Sequence, residues 1–173
     1  IVPETRQTPA EIQEDIADLI ERRDKGIAVL RDTEMPSVLI ESFNIRNREQ
    51  VKVYDDPRQL EGLARAYAQG IINYLHRANG RGPKVHKVII DNGHGTKDPG
   101  ALNPDDKDKS ETYFVTRLHR HLVRILKGNP GIEVHSLRYT DDASVRARTR
   151  FFTENANRIG DPDDSIYVSL HIE

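Results

Sequence analysis

Three side chains suited to metal binding are spread over the second half of this sequence. His94 lies in the glycine-rich segment NGHGTKDPG, Glu111 opens a helix-like segment, and His171 ends the strand-like segment SIYVSLH. Two imidazoles and one carboxylate are a ligand set of catalytic zinc sites, which leave the fourth position for water. The chain has no cysteine, so a metal site must use His, Asp or Glu. Spacing alone is weak evidence, because seven histidines and many acids allow such triples by accident.

Each candidate residue also has a purely structural interpretation. His94 is compatible with an ordinary loop histidine, and His171 with a strand-end histidine bound to a backbone carbonyl. Glu111 lies in the first turn of a helix, where the helix dipole favours a carboxylate in any case. Glu41 ends the apolar segment PSVLIE; burial of a carboxylate without a partner is costly, which favours a functional role over a structural salt bridge. Asp91 is better placed to support the glycine-rich loop or to orient His94 than to bind metal.

The elements that must position these residues alternate along the chain. The spacing of apolar residues predicts helices over 8–23, 60–75, 111–127 and 144–158, and strands over 27–30, 36–41, 87–91, 132–138 and 165–171. This order favours an α/β domain of three layers, in which a largely parallel, twisted sheet is flanked by helices. Sites in such domains lie at the carboxyl ends of the strands, where the segments of Glu41, His94 and His171 would meet.

Composition excludes several classes of function. The 173 residues suit a single compact domain, and 26 basic against 28 acidic residues give no basic surface for nucleic acid or an anionic membrane. No segment approaches the roughly 20 apolar residues of a membrane span, so we expect a soluble protein without a transmembrane segment. The oligomeric state is left open.

The candidate residues sit in segments that resemble a known family. VIIDNGHGTKDPGA, SETYF, GIEVHSLRYTDD and YVSLH are similar to successive blocks of the zinc-dependent N-acetylmuramoyl-L-alanine amidases, the type-3 amidases. VLRDTEMPSVLIESFNIRN and PRQLEGLARAYAQGIINYL resemble the terminal part of that family, which normally follows the SxH strand. Within a single catalytic domain over 1–173, residues 1–79 thus match the family's C-terminal part and 84–173 its N-terminal part, which indicates a circular permutation or a numbering that has rotated the chain.

The resemblance implies specific roles. His94, Glu111 and His171 match the family's Zn²⁺ ligands, and Glu41 matches its catalytic glutamate. Zinc would act as a Lewis acid on the scissile carbonyl, and the glutamate would transfer a proton from water to the departing amine. The expected substrate is peptidoglycan, cleaved between N-acetylmuramic acid and L-alanine. The family further implies a periplasmic or extracellular location at the cell wall.

Departures from the family pattern lie beside the predicted site. Thr96 replaces a glycine after the loop histidine, and Phe43 and Arg46 stand where the family more often has a glycine and a serine after the glutamate. The connection between the strand of His171 and Val29 is also shorter than usual. Two alternatives remain at this point: a peptidoglycan-binding or regulatory domain with weak or no catalysis, and a zinc amidase or peptidase that acts on another amide.

Overall fold

The chain folds around a four-stranded, fully parallel sheet. The structure is a computed structural model and describes residues 27–78, 86–94, 98–137 and 145–173. Within these ranges the elements are α1 Ala28–Arg31, β1 Ser37–Glu41, α2 Arg48–Asp55, α3 Pro57–Ala78, β2 His86–Asp91, α4 Glu111–Lys127, β3 Ile132–Leu137, α5 Val145–Ile159 and β4 Ser165–His171. The strand order is β1-β4-β2-β3. This confirms the predicted α/β class; the helix predicted over 8–23 lies outside the described residues.

Helices cover both faces of the sheet and produce two apolar cores. Side chains alternate between the faces of a strand, so Val88 and Val168 pack with α3 and α4 on one face, and Ile89 and Tyr167 pack with α1 and α5 on the other. The central strand β4 is buried from Ser165 to Leu170 and becomes partly accessible only at His171. The helical part that the structure describes contains no helix with the length and apolarity needed to cross a membrane.

Two local predictions differ from the structure. The strand predicted over 27–30 is wrong: Ala28–Arg31 forms one helical turn, in which the carbonyl of Ile27 accepts hydrogen bonds from Leu30 N (2.9 Å) and Arg31 N (3.1 Å). Four apolar residues in a row fit a buried turn as well as a strand. The helix α2 was not predicted; its cap is Asn47, whose side chain accepts hydrogen bonds from the backbone amides at positions 49 and 50.

Three strands end at the same edge of the sheet and define where a site can form. β1 pairs with β4, and Glu41 and His171 are direct Cα partners in that register. β2 pairs with β4, and Asp91 is the Cα partner of Ser169. Helix α4 begins at Glu111 close to this edge, since Ile172 N donates a hydrogen bond to Glu111 Oε1 (3.0 Å). The fold therefore collects residues from distant parts of the sequence at one edge.

Candidate metal centre and active site

His94, Glu111 and His171 lie together at this edge. One donor atom from each is within 4.8 Å of the others, and among the described residues they form the group suited to hold a metal ion. His171 Nδ1 is 3.0 Å from Glu111 Oε1, and His94 Nε2 is 3.2 Å from Glu111 Oε2. Neighbouring ligand atoms around a tetrahedral zinc ion, with bonds of about 2.0–2.1 Å, are roughly 3.4 Å apart. The donor types and the two separations from Glu111 are thus close to those around zinc.

The Glu111 carboxylate is fixed by the backbone as well as by the two imidazoles. It accepts hydrogen bonds from Ala101 N (2.9 Å) and Ile172 N (3.0 Å), and Ser110 caps the helix that it opens. Burial by itself raises the pKa of Glu111, but hydrogen bonds from His171, His94 and the two amides outweigh burial and hold the pKa well below its ordinary value. Glu111 is therefore a carboxylate at neutral pH, which is the state that a metal requires.

His94 lies beside a second acid. Its Nδ1 is 3.1 Å from Asp98 Oδ2, while its Nε2 faces Glu111. A carboxylate at one ring nitrogen favours the proton there and leaves the lone pair of the other nitrogen for a metal. The loop between His94 and Asp98, including Thr96, lies outside the described residues.

Two glycines of the motif are required by close approach. Gly93 has φ +65° and Gly100 has φ +69°, both in the left-handed region that favours glycine. A Cβ at Gly93 would overlap the imidazole of His171, and one at Gly100 would overlap the carboxylate of Glu111. The glycines of NGHG and DPG thus leave space for two of the three donors.

Asp91 links the glycine-rich loop to β4. Its side chain is fully buried, and Oδ1 accepts hydrogen bonds from Gly93 N (2.6 Å) and from Ser169 Oγ (3.0 Å). Burial raises the pKa of Asp91 to about 6, against the opposing effect of these hydrogen bonds and of the histidines. Asp91 is not part of the metal-ligand group of the described residues and supports the loop, in agreement with its interpretation from the sequence.

Glu41 shares a cavity with the three donors. This cavity of about 380 Å³ is lined by Glu41, Asn44, Arg46, His94, Ala101, Glu111, His171, Ile172 and Glu173. Partial burial raises the pKa of Glu41, the negative charges of Glu111 and Glu173 add to the rise, and the two histidines oppose it. A carboxylate with a raised pKa is a stronger base, and this one lines the same cavity as the three candidate donors.

A second cavity of about 400 Å³ is also lined by His94 and His171. Its wall includes the apolar side chains of Val29, Leu39 and Phe152. Asp91 and Ser169 also line it. The candidate centre therefore contacts a polar cavity with the predicted base and a more apolar one.

The sequence analysis assigns no role to two residues of the polar cavity. Asn44 and Arg46 follow Glu41 in a short loop and line the cavity beside it. The available signal was their position three and five residues after a candidate catalytic residue, at the point where the family pattern changes. The remaining histidines of the described residues do not join the metal-ligand group: His76, His86, His119, His121 and His135.

Comparison with known protein families gives one match. The model of the N-acetylmuramoyl-L-alanine amidase family matches residues 3–73 and 88–173. These two segments contain β1 with Glu41 and, separately, all three candidate metal donors. Searches of curated proteins and of solved structures find no significant match.

Proposed function

Because the chain belongs to the N-acetylmuramoyl-L-alanine amidase family, we propose that it is a zinc-dependent hydrolase that cleaves the amide between N-acetylmuramic acid and L-alanine in peptidoglycan. Amidase activity on peptidoglycan follows from family membership; the use of zinc and the residue roles are the proposal. The observation that carries it is the convergence of His94, Glu111 and His171 within 4.8 Å, in a cavity that Glu41 also lines.

In this proposal the three donors hold the ion. His94 Nε2, Glu111 and His171 Nδ1 supply one donor each, and Asp98 and two backbone amides hold the first two side chains in place. When bound, zinc would polarise the scissile carbonyl and lower the pKa of a water molecule towards ~7. Ligands that are already oriented lose little freedom on binding the ion, which favours a stable site.

Glu41 is the proposed general base and then general acid. Its carboxylate takes a proton from the attacking water and delivers it to the departing nitrogen of L-alanine. Register pairing with His171 fixes its Cα beside a ligand. Partial burial raises the pKa of Glu41 and so strengthens it as a base. The amide is therefore hydrolysed by direct attack of water, without an intermediate covalently attached to the protein.

The test compares ligand variants with a base variant. His94→Ala, Glu111→Ala and His171→Ala should each reduce the zinc content of the purified protein from about one ion per chain and abolish hydrolysis. Glu41→Gln should keep the zinc and lower the turnover by about 10²–10⁴-fold, since it removes the proton acceptor and leaves the ligands intact. Loss of zinc in Glu41→Gln would make Glu41 a ligand, and full activity without metal would overturn the zinc proposal.

The products distinguish the proposed reaction from its alternatives. Digestion of purified peptidoglycan should produce new amino termini of L-alanine, and their amount should rise in proportion to the amount of peptidoglycan that is solubilised. New amino termini of other residues would indicate a different amide, and binding to peptidoglycan without new amino termini would indicate a binding or regulatory domain. We place the activity in the compartment that contains peptidoglycan, periplasmic or extracellular.

We further propose that the two matched segments form one domain in which the family's halves are exchanged in order. Support comes from the sheet: β1 from the first segment pairs in parallel with β4 from the second, and places Glu41 beside His171. The exchange also predicts that Ile1 and Glu173 lie near each other; Ile1 lies outside the described residues.

A further inference from the structure

Arg46 supplies the positive charge of the polar cavity. Among the described residues that line it, Arg46 is the one lysine or arginine, and Glu41, Glu111 and Glu173 are the acids. Its guanidinium forms no hydrogen bond or ion pair within the described part of the chain, whereas Arg48, two residues later, is bound to Asp105 at 2.7 and 2.8 Å. A free guanidinium in the wall of a catalytic cavity is available to a ligand.

The loop that carries Arg46 is held at both ends. Arg46 N donates to Asn44 Oδ1 (2.8 Å), and Asn44 N donates to the side chain of Gln50 (2.8 Å). Ile45 N donates to the carbonyl of Glu173 (2.6 Å), which ties the loop to the segment after β4. The backbone at Arg46 is thus fixed relative to Glu41 and His171, although the side chain itself is exposed.

A guanidinium recognises planar anions best. Its N–H groups form a fork that binds a carboxylate through two parallel hydrogen bonds. In peptidoglycan the residue after L-alanine is a D-glutamate linked through its side chain, so its α-carboxylate is free unless it is amidated. This carboxylate is the anionic group of the stem nearest to the scissile bond.

The dimensions agree with such a contact. Two residues of extended chain, from the scissile carbonyl to the α-carboxylate of D-glutamate, span roughly 7 Å. The cavity volume of about 380 Å³ is in the range of small-molecule sites, and a sphere of that volume is about 9 Å across. One cavity can therefore hold the reacting carbonyl beside Glu41 and the carboxylate beside Arg46.

We propose that Arg46 binds the free α-carboxylate of the second stem residue and so selects peptide stems that are not amidated at that position. The inference rests on the proposed function and specifies its substrate. Arg46 is a specificity residue here: it contacts the substrate away from the bond that breaks. Because Arg46 is exposed, solvent weakens the contact, and we expect about a tenfold effect rather than the larger effect of a buried pair.

The test uses two substrates that differ in one group. Muramoyl-L-alanyl-D-glutamate carries a carboxylate at the α-carbon of its second residue. Muramoyl-L-alanyl-D-isoglutamine carries a neutral amide at the same carbon. The zinc-loaded wild-type protein should hydrolyse the first with about a tenfold higher kcat/KM. Arg46→Gln should lose this preference by slowing hydrolysis of the acid alone, and Arg46→Lys should keep part of it. Arg48→Ala is the matched control and should retain the full preference.

A binding measurement separates recognition from turnover. Calorimetry with the Glu41→Gln protein should show tighter binding of the acid than of the amide, and the added substitution Arg46→Gln should remove the difference. Equal hydrolysis of both substrates by the wild type, or an equal loss on both in Arg46→Gln, would overturn the role of Arg46 and leave the amidase proposal standing. Failure to hydrolyse either substrate or intact peptidoglycan would overturn the proposed function, and this inference with it.

Discussion

Gly93 lies directly against the imidazole of His171, so that the first glycine of the GHG motif and the last strand are in contact. The Gly93 backbone has φ +65°, and a Cβ there would overlap Cε1 and both ring nitrogens of His171. The amide of Gly93 is at the same time bound to Asp91 Oδ1 at 2.6 Å, which prevents the loop from moving away. The position of the candidate ligand His171 thus depends on Gly93, which precedes the candidate ligand His94 in the sequence.

Gly93→Ala should therefore damage both the fold and the metal site. The left-handed backbone costs a non-glycine residue about 1–2 kcal/mol, and the overlap must displace His171 or the loop. We expect a lower free energy of unfolding and weaker zinc binding, measured by urea denaturation and by competition with a zinc chelator.

Gly70→Ala is the matched control for this prediction. Gly70 lies within α3, and no atom outside its own helix is within 4 Å of an added Cβ. Alanine is the better helix former, so this variant should gain roughly 0.5–1 kcal/mol and bind zinc as the wild type does. Wild-type stability and zinc affinity in Gly93→Ala would contradict the packing described here.

Ser169→Ala should destabilise the edge of the sheet near the site. Ser169 Oγ donates to the fully buried Asp91 Oδ1 at 3.0 Å, and Asp91 Oδ2 has no hydrogen-bond partner among the described residues. Removal of a donor from a buried carboxylate costs about 1–3 kcal/mol. Ser37→Ala, whose hydroxyl donates to a partly accessible carbonyl at 3.2 Å, should cost less in the same urea experiment. Equal free energies of unfolding for the wild type and Ser169→Ala would show that the contact to Asp91 contributes nothing.

The sequence predicts much of the site because several motif residues indicate a local backbone geometry before the fold is known. The glycines beside His94, the acid at the start of a helix and the histidine at a strand end each indicate a local geometry. Alternation of helices and strands then predicts a parallel sheet that brings strand ends together. The structure confirms this parallel sheet, and all three donors lie at one edge of it.

Other features depend on contacts that spacing does not reveal. The register that places Glu41 beside His171 joins residues from opposite ends of the chain. Val29 of α1 packs in one core cluster with Phe152 and Ala156 of α5, a contact that the local sequence does not reveal. The sequence marks Arg46 only as a departure from the family pattern, and only the fold shows that it lines the cavity.

Stability should depend on pH through Asp55, which connects α2 to α4. Asp55 binds Lys109 Nζ (3.0 Å), the hydroxyl of Tyr113 (3.0 Å) and Arg117 (3.2 Å). Partial burial acts to raise the pKa of Asp55, but the hydrogen bonds from Lys109 and Tyr113 and the two positive charges outweigh burial and lower it. The ionised Asp55 carboxylate therefore stabilises the folded protein fully above the ordinary aspartate pKa of about 3.9. This stabilisation is lost as the pH falls through the lower pKa that Asp55 has in the folded state.

Asp55→Asn tests this dependence. At pH 7 it should lower the free energy of unfolding by about 1 kcal/mol, since the site is partly exposed and solvent weakens its ion pairs. The difference from the wild type should shrink as the pH is lowered below about 3.9 in urea titrations. Asp105→Asn, which removes the more exposed pair with Arg48, should have a smaller effect at pH 7. A difference that is constant from pH 7 to the acid limit would contradict the assigned role of Asp55.

The proposed exchange of halves predicts that the order of the two segments is immaterial to the fold. A rearranged chain would begin at residue 80, run to Glu173, continue through a short Gly/Ser linker into Ile1 and end at residue 79. Both matched segments stay intact in this chain. The pairing of β1 with β4 and the four site residues are then available without change.

We expect the rearranged protein to bind about one zinc ion, to release L-alanine amino termini from peptidoglycan, and to unfold in a single transition at which signals from both segments coincide. A rearranged chain that folds but binds no zinc, or whose segments unfold separately, would show that the present order is required and that the two segments are not exchangeable halves of one domain.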